Sequence, residues 1–569
     1  MKSLDGTGPL IVQGDMTVFL EVANPLFEEA RDALSTFAEL EKSPEYMHSY
    51  RITPLSLWNA MASGTKPADA VATLQKYARH VLPEHVVSQI KAHCARYGKI
   101  RLTKKPGAAY LVLASKDKFA MSEIKQTDAL RKFMLDQDAP LEFCDSDSEY
   151  RIKIDPAYRG HLKQALAAMG YPADDTVGYE DADQVSVSLR AQALSGDFFN
   201  LRGYQKHAAN AFYGQGKSSG GSGTVVLPCG AGKTIVGMIV MSKLNHATLI
   251  LTTGISAIRQ WKRELLDKTA LTDDLIGEYS GEKKEIKPIT IATYQILTSR
   301  HSTDAEFAHF ELFSKRNWGL IIYDEVHVLP APILRMTAEI QGKRRLGLTA
   351  TLLREDGLEK DVFSLIGPKK YDMPWKTLET EGFIACAKCT EIRTPLAEEM
   401  KMEYALSNGR QKFRIASCNE NKETVIRSLL KEHVGDHILI IGQYIEQLER
   451  IAGMTSAPIL TGKTPGATRE RMYQSFRNGD VTTLVVSKVA NYAIDLPDAN
   501  VIIEVSGMFG SRQEETQRLG RILRPKAGSN IAWFYSITTE DTREMEFAAK
   551  RQLFLTEQGY RYSIVNMIG

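Results

Sequence analysis

The sequence predicts an α/β protein built from two tandem lobes, each a doubly wound parallel sheet, preceded by two small N-terminal modules. Three observations predict it. Short apolar runs alternate with helical stretches at Ala247–Thr252, Ile289–Thr293, Leu320–Tyr323 and Leu346–Thr349, and such alternation implies parallel strands with helices on both faces. The pattern restarts at Ile438–Ile441, Thr483–Val486, Val501–Val505 and Ile531–Tyr535. A glycine-rich turn joins a strand to a helix in the first of these halves alone, within Val225-Val226-Leu227-Pro228-Cys229-Gly230-Ala231-Gly232-Lys233-Thr234.

That turn carries the chemistry. Strand, glycine-rich loop, then the apolar helical run Ile235–Val240 is the order a phosphate-binding loop requires. Gly230, Ala231 and Gly232 let backbone N–H groups face phosphate oxygens at a helix N-terminus. Lys233 neutralises the β- and γ-phosphates, and the Thr234 hydroxyl is a ligand for Mg²⁺. The formal pattern has one more glycine upstream, where this chain has Leu227.

Strand Leu320–Tyr323 runs into Asp324-Glu325-Val326-His327. In a doubly wound sheet the carboxyl ends of the strands form the binding edge. Asp324 is therefore expected to hold Mg²⁺ together with Thr234, and Glu325 to orient and deprotonate the attacking water. In the second half, Gln517, Arg521 and Arg524 share one helix face. A solvated basic face is the alternative. In a cleft between lobes, the two arginines would stabilise charge on a transferring phosphoryl group.

Composition bounds the rest. The 569 residues leave room for three or four domains with their own cores. Hydrophobic content of 43% and charged content of 25% are those of an ordinary globular protein. A formal net charge of +2 excludes a generally basic surface, so nucleic-acid contact requires a local groove. The segment Met1–Gly6 lacks an apolar targeting core, and no stretch is apolar for long enough to span a bilayer. A soluble protein of a reducing compartment is the expectation, cytoplasmic in a prokaryote and nuclear in a eukaryote. Of the six cysteines, Cys386 and Cys389 alone form a C-x-x-C pair, in a context closer to a strand than to a zinc knuckle.

Along the chain, residues 1–105 form a first module. It opens with a hairpin about Gly14-Asp15 and a helix started by Asn24-Pro25, with Phe27, Ala30, Leu34 and Phe37 at helical spacing. Residues 106–175 form a small α/β unit with strands at Tyr110–Leu113 and Tyr150–Ile154 and a helix from Pro156 to Met169. Residues 176–190, rich in Asp and Glu, are expected to be a solvated acidic linker. The first lobe spans 191–370, with a flexible loop at Gly214–Gly223, and the second spans 371–569.

Taken together, these motifs resemble those of superfamily 2 helicases. Gln205 sits in a Q-like motif with Arg202 nearby, followed by the Gly-Lys-Thr loop, Asp-Glu-Val-His, Thr349-Ala350-Thr351 and the Gln517–Arg524 arginine motif. More narrowly, Leu348–Asp356 with its Arg354-Glu355-Asp356 triplet resembles the XPB family. So do Ser487-Lys488-Val489, Ile494–Pro497 and the terminal Lys550–Leu555 with Gly559-Tyr560. Ala490-Asn491 departs from the family's usual Gly-Asp. The resemblance implies RecA-like lobes, ATP and Mg²⁺ as cofactors, and an ATP-dependent DNA translocase or 3′–5′ helicase acting on double-stranded and forked DNA in repair or transcription-linked opening. It implies that Arg202 and Gln205 join the ATP site. Thr349, Thr351, Arg354, Glu355, Asp356, Ser487 and Lys488 are implied to couple it to DNA. It further implies an XPB-type first module, a damage-recognition-like second one, and a thumb-like insertion near 399–422, where Arg410–Arg414 mixes bases with an aromatic. A nuclease or a repair or transcription protein is the implied partner. The chain lacks the long tails of eukaryotic members, favouring a prokaryotic form. A superfamily 2 RNA helicase and an ATP-gated DNA-binding scaffold are the competing readings.

Overall fold

Every residue of Thr248–Thr252 and Ile289–Thr293 is buried, as is Leu320–Asp324 up to its last residue. Strands covered on both faces belong in a parallel sheet flanked by helices. The computed structural model describes residues 8–42, 46–196, 199–216, 220–228, 230–299, 309–350, 359–373, 375–487, 499–507, 530–557, 560 and 562–567. In it these strands form a seven-stranded parallel sheet. Its order is Ile276–Tyr279, Ile289–Thr293, Thr248–Thr252, Leu320–Asp324, Arg344–Thr349, Ser222–Val226, Lys369–Asp372. A second seven-stranded parallel sheet runs Ile459–Leu460, Thr483–Ser487, Ile438–Gly442, Val501–Glu504, Ile531–Thr539, Cys386–Thr394, Tyr562–Asn566. Two doubly wound lobes therefore stand in tandem. One apolar core runs through both, carried across by Trp375, Leu378, Ile384 and Ala385.

Ahead of them lie two smaller sheets. The first is antiparallel, in the order Leu10–Val12, Thr17–Glu21, Met47–Arg51, Glu39–Lys42. Its hairpin turns at Gly14-Asp15, where the Thr17 N–H donates to Asp15 Oδ1 at 3.0 Å. The following helix, Phe27–Leu34, starts later than Asn24 because the Asn24 side chain closes a turn on Leu26 N–H instead. The second sheet runs Glu142–Cys144, Glu149–Ile154, Leu111–Ser115, Ile100–Thr103, Ala173–Asp175.

Both units dock on the first lobe. Ser63 Oγ donates to Lys369 O at 2.9 Å, and the Lys369 N–H donates to Asn59 Oδ1 at 3.1 Å. Helix Arg159–Ala168 meets helix Ala331–Glu339 so closely that a Cβ on Gly160 would lie 2.3 Å from Ala338 O. Beside that contact, Asp175 accepts two hydrogen bonds from Arg159, at 3.0 and 2.8 Å, and faces Lys163 Nζ at 3.0 Å. Lys163 also reaches Gln341 Oε1 at 2.9 Å. Burial alone would raise the Asp175 carboxyl, but Lys163 and Arg159 outweigh it and hold it well below the usual carboxylate range. Burial pushes Lys163 the other way, down to about 8. The two shifts are compatible, because Arg159 occupies the carboxylate in bidentate fashion and leaves the ammonium the less compensated partner.

Several expectations need correction. The acidic stretch 176–190 is no solvated linker. It straps the amino-terminal edge of the first sheet, with the Asp183 N–H donating to Asn317 O and the Ala247 N–H to Asp183 O. Val185 and Val187 are buried, two residues apart, and give the strap an apolar side. The first sheet ends at Asp372, because Lys369–Asp372 pairs with Ser222–Val226 across the boundary expected at 370. Ser222 and Gly223 of the expected flexible loop are strand residues, paired with Arg345 and Leu346. In 399–422 the chain forms helices Glu398–Leu406 and Gly409–Ser417. Phe413 there is fully buried, edge-on to Phe547, and so forms no basic-aromatic surface with Arg410, Lys412 and Arg414. Cys386 and Cys389 lie in a strand, Cys386–Thr394. No helix among the described residues is long and apolar enough to cross a membrane.

Candidate active site

The strand Ser222–Val226 continues through Leu227, whose N–H donates to Thr349 O at 2.9 Å. Leu227 is fully buried. This accounts for a leucine where the formal loop has glycine: the chain is still extended and paired there, so no left-handed turn is needed. The turn comes afterwards, with Gly230 at φ 77° and Gly232 at φ 82°, which favour glycine. Glycine at 232 has a second cause, since a Cβ would lie 2.5 Å from Gln205 Nε2. Helix Lys233–Leu244 then starts with no side chain capping it, which leaves its first-turn N–H groups for an anion.

Gln205 clamps the loop from behind. Its Nε2 donates to Ala231 O at 3.0 Å, and Tyr204 OH donates to the same carbonyl at 2.8 Å. Gln205 Oε1 accepts from the Arg202 N–H at 3.1 Å, and the Arg202 side chain reaches Tyr204 OH at 3.0 Å. The Arg202 guanidinium lies 4.7 Å from the ring centroid of Phe383, which ties this corner to the start of the second lobe.

Two strands away, Leu320–Asp324 delivers the carboxylates. Glu325 has φ 53° and ψ 55°, a left-handed conformation that costs a non-glycine residue about 1–3 kcal/mol. Its side chain faces the loop, with Oε1 3.1 Å from Lys233 Nζ. Its other oxygen is 3.4 Å from His327 Nδ1. Burial acts to raise the Glu325 carboxyl, but Lys233 and then His327 more than offset it, so its pKa lies below the usual value. Asp324 is pushed up to about 6, first by burial and then by the adjacent Glu325 charge. Its Oδ2 accepts from Trp261 Nε1 at 2.9 Å, and its main-chain carbonyl accepts from Tyr294 OH at 2.8 Å.

Thr349 joins the pieces. Its carbonyl holds Leu227, and its Oγ1 lies 2.7 Å from His327 Nδ1. One buried threonine thus touches the phosphate-loop strand and the Asp-Glu-Val-His segment. Thr234 is half-buried at the helix start. Ser487 closes strand Thr483–Ser487 of the second lobe and is buried. Thr351, Arg354, Glu355, Asp356, Lys488, Gln517, Arg521 and Arg524 lie outside the described residues, as do Ala490 and Asn491.

Among the described residues no group of three or more His, Cys, Asp or Glu side chains suits a metal ion. A hydroxyl and a carboxylate at the phosphate loop nevertheless fit Mg²⁺, which takes few protein oxygens and completes its shell with phosphates and water. Sequence reasoning missed Trp261, Tyr204 and Tyr294, which reach the site from other elements, and assigned no role to His327. For His327 the signal was its spacing of two residues from Glu325.

Comparison with known proteins follows the same lines. A family profile described as "ERCC3/RAD25/XPB C-terminal helicase" matches residues 378–569. "Type III restriction enzyme, res subunit" matches 198–354, and "Helicase conserved C-terminal domain" matches 10–139. The chain is 50% identical over 557 residues to "DNA 3′-5′ helicase XPB" of Mycobacterium tuberculosis, covering 98% of this chain and 97% of that one. It is 48% identical to the protein of the same name from Kineococcus radiotolerans, covering 98% and 96%. To the Arabidopsis thaliana "General transcription and DNA repair factor IIH helicase/translocase subunit XPB1" it is 31% identical, covering 100% and 80%.

Proposed function

The chain belongs to the XPB family of superfamily 2 helicases, and we infer from that membership and the site geometry that it is an ATP-dependent 3′–5′ DNA helicase and translocase. The observation that carries the mechanism is the 3.1 Å contact between Lys233 and Glu325. It supports a reading in which nucleotide binding and water activation share one pair of side chains.

ATP phosphates settle on the N–H groups of Gly230–Thr234, and Lys233 turns from Glu325 toward them. The Glu325 carboxylate, no longer neutralised, is then available to orient a water and take its proton. Thr234 and Asp324 would hold Mg²⁺, which neutralises charge on the β- and γ-phosphates. Gln205 and Arg202 brace the loop and the adjoining interlobe corner. Arg521, Arg524 and Gln517 would meet the γ-phosphate from the second lobe. Thr349, in contact with the loop strand and with His327, would pass a shift at either toward Thr351 and the Arg354-Glu355-Asp356 triplet, with Ser487 and Lys488 as its counterparts in the second lobe. DNA is the polymer acted on, in repair or transcription-linked opening, and a nuclease or a repair or transcription protein is the proposed protein partner.

The test is to compare stimulation of ATP hydrolysis by duplex DNA, single-stranded DNA and RNA, with strand separation on a duplex bearing a 3′ overhang. DNA-selective stimulation with unwinding is the expected outcome. Stimulation by RNA would favour an RNA helicase. DNA stimulation without unwinding of the 3′-tailed duplex would leave a translocase or an ATP-gated binder.

A further inference from the structure

Trp261 is 1% exposed and lies in helix Ile255–Lys268, well away in sequence from both the phosphate loop and Asp324. A large aromatic at an amphipathic position is ordinary core material, and its ring does pack in the core of the first lobe. Its nitrogen is the unusual part. Indole N–H is a donor with no acceptor capacity, and here it is aimed at Oδ2 of Asp324, 2.9 Å away, rather than at a backbone carbonyl. The carboxylate it holds is the one at the end of the strand facing the nucleotide loop.

The ring is held in turn by the phosphate-loop helix. Gly237, one turn into Lys233–Leu244, has no side chain, and a Cβ there would lie 2.7 Å from Trp261 Cη2. The indole therefore fills the space that a side chain at 237 would take. On the main chain of the same residue, Tyr294 OH donates to Asp324 O at 2.8 Å. Asp324 is thus fixed twice, at its backbone by one tyrosine and at its carboxylate by one tryptophan. The second fixation depends on the helix that begins with Lys233 and Thr234.

We infer that Trp261 is a positioning residue for the nucleotide-bound divalent cation: its N–H sets the orientation of the Asp324 carboxylate, and Gly237 sets the position of the indole. This rests on the reading of Asp324 as a metal ligand. Partners that orient a ligating carboxylate contribute on the order of 10–100-fold in metal affinity or activity. An unbraced carboxylate would have to give up rotational freedom when the metal binds, whereas a braced one already has.

The experiment measures affinity for a fluorescent ADP derivative with MgCl₂ and with EDTA, in the full chain, and takes the ratio of the two dissociation constants. Trp261→Phe keeps an aromatic ring and loses the N–H. The expected result is a ratio reduced roughly tenfold, with affinity in EDTA unchanged. Gly237→Ala, which keeps the N–H but displaces the ring, is expected to move the ratio in the same direction, and it carries the test if Trp261→Phe does not fold. Equal weakening with and without Mg²⁺ would mark Trp261 as packing alone and overturn the inference. Asp324→Asn separates the two failures. If it collapses the ratio while Trp261→Phe leaves it at the wild-type value, the positioning role falls and the metal assignment stands. If Asp324→Asn leaves the ratio unchanged, the metal assignment falls and takes the inference with it.

Discussion

On the proposed mechanism Lys233 leaves Glu325 for the phosphates, and substitutions of the two residues should therefore behave differently. Lys233→Ala removes the cation from the phosphates and leaves the Glu325 charge unopposed beside them. Nucleotide affinity and hydrolysis should both fall, hydrolysis by roughly 10²–10³-fold, as read by equilibrium binding and steady-state turnover. Glu325→Gln removes the base and also the group that competes with phosphate for Lys233. ATP binding should be retained or tightened while turnover drops by roughly 10²–10⁴-fold, and near-normal turnover would rule out Glu325 as the base. These two residues were legible in the sequence because the chemistry demands a lysine in a glycine loop and a carboxylate at a strand end. Trp261 and Tyr294 were not. What aims them is the packing of helix Ile255–Lys268 and of Tyr294 against Asp324, far along the chain, and a single sequence carries no trace of that proximity. Leu227 looked like a defect in the loop and is instead its last sheet-paired residue.

At the scale of elements, periodicity revealed most of the buried strands of both lobes, since a strand covered on both faces has few polar residues to obscure it, but not Ile276–Tyr279, which holds a glycine and a glutamate. It failed where polar residues carry the packing. The strap across the first lobe reads as acidic, yet Val185 and Val187 alternate with polar neighbours and are buried, while Asp183 pairs with Arg316 and Glu180 with Lys343 at the edge. In the same way, the contact between helix Arg159–Ala168 and the first lobe rests on a glycine and a buried ionic cluster. Removing one member of such a cluster strands the others. Asp175→Asn should therefore destabilise the protein by about 3–5 kcal/mol at neutral pH, measured by chemical denaturation. The pH dependence has a definite sign. The Asp175 carboxyl is held below its unfolded value of about 3.9, so its contribution is fully present above that value and is lost as pH falls toward the folded pKa. In Asp175→Asn, Lys163 loses the partner that raises it and sheds its proton more readily, so the stability difference should grow as pH falls from neutral and shrink only below about pH 4, where the wild-type carboxylate loses its advantage over the unfolded chain. A difference that kept growing below about pH 4 would contradict the depressed carboxyl.

At the scale of the whole molecule, both small units are bound to the first lobe by main-chain contacts or buried polar ones, and Phe383 packs the start of the second lobe against Arg202 and Tyr204. With a formal charge of +2, binding to DNA has to come from local cations, and affinity should fall steeply and log-linearly with salt as phosphate contacts release counterions. A flat response between low and physiological salt would exclude a backbone-binding groove. Coupling of that groove to hydrolysis is expected to run through Thr349, because it holds the loop strand through its carbonyl and His327 through its hydroxyl. The strand ends at Thr349, at the carboxyl edge of the sheet, and the Arg354-Glu355-Asp356 triplet follows within a few residues of sequence. None of the groups proposed to hydrolyse ATP lies in the triplet. Replacing all three with alanine should therefore lower strand separation by roughly 5–30-fold while DNA-stimulated hydrolysis changes far less, a loss in the range of ordinary coupling energies. The two rates must be measured on the same preparation, at saturating ATP and DNA. Equal losses would mean that the triplet supports the nucleotide site or the fold. No loss in either would mean that its charges only face solvent.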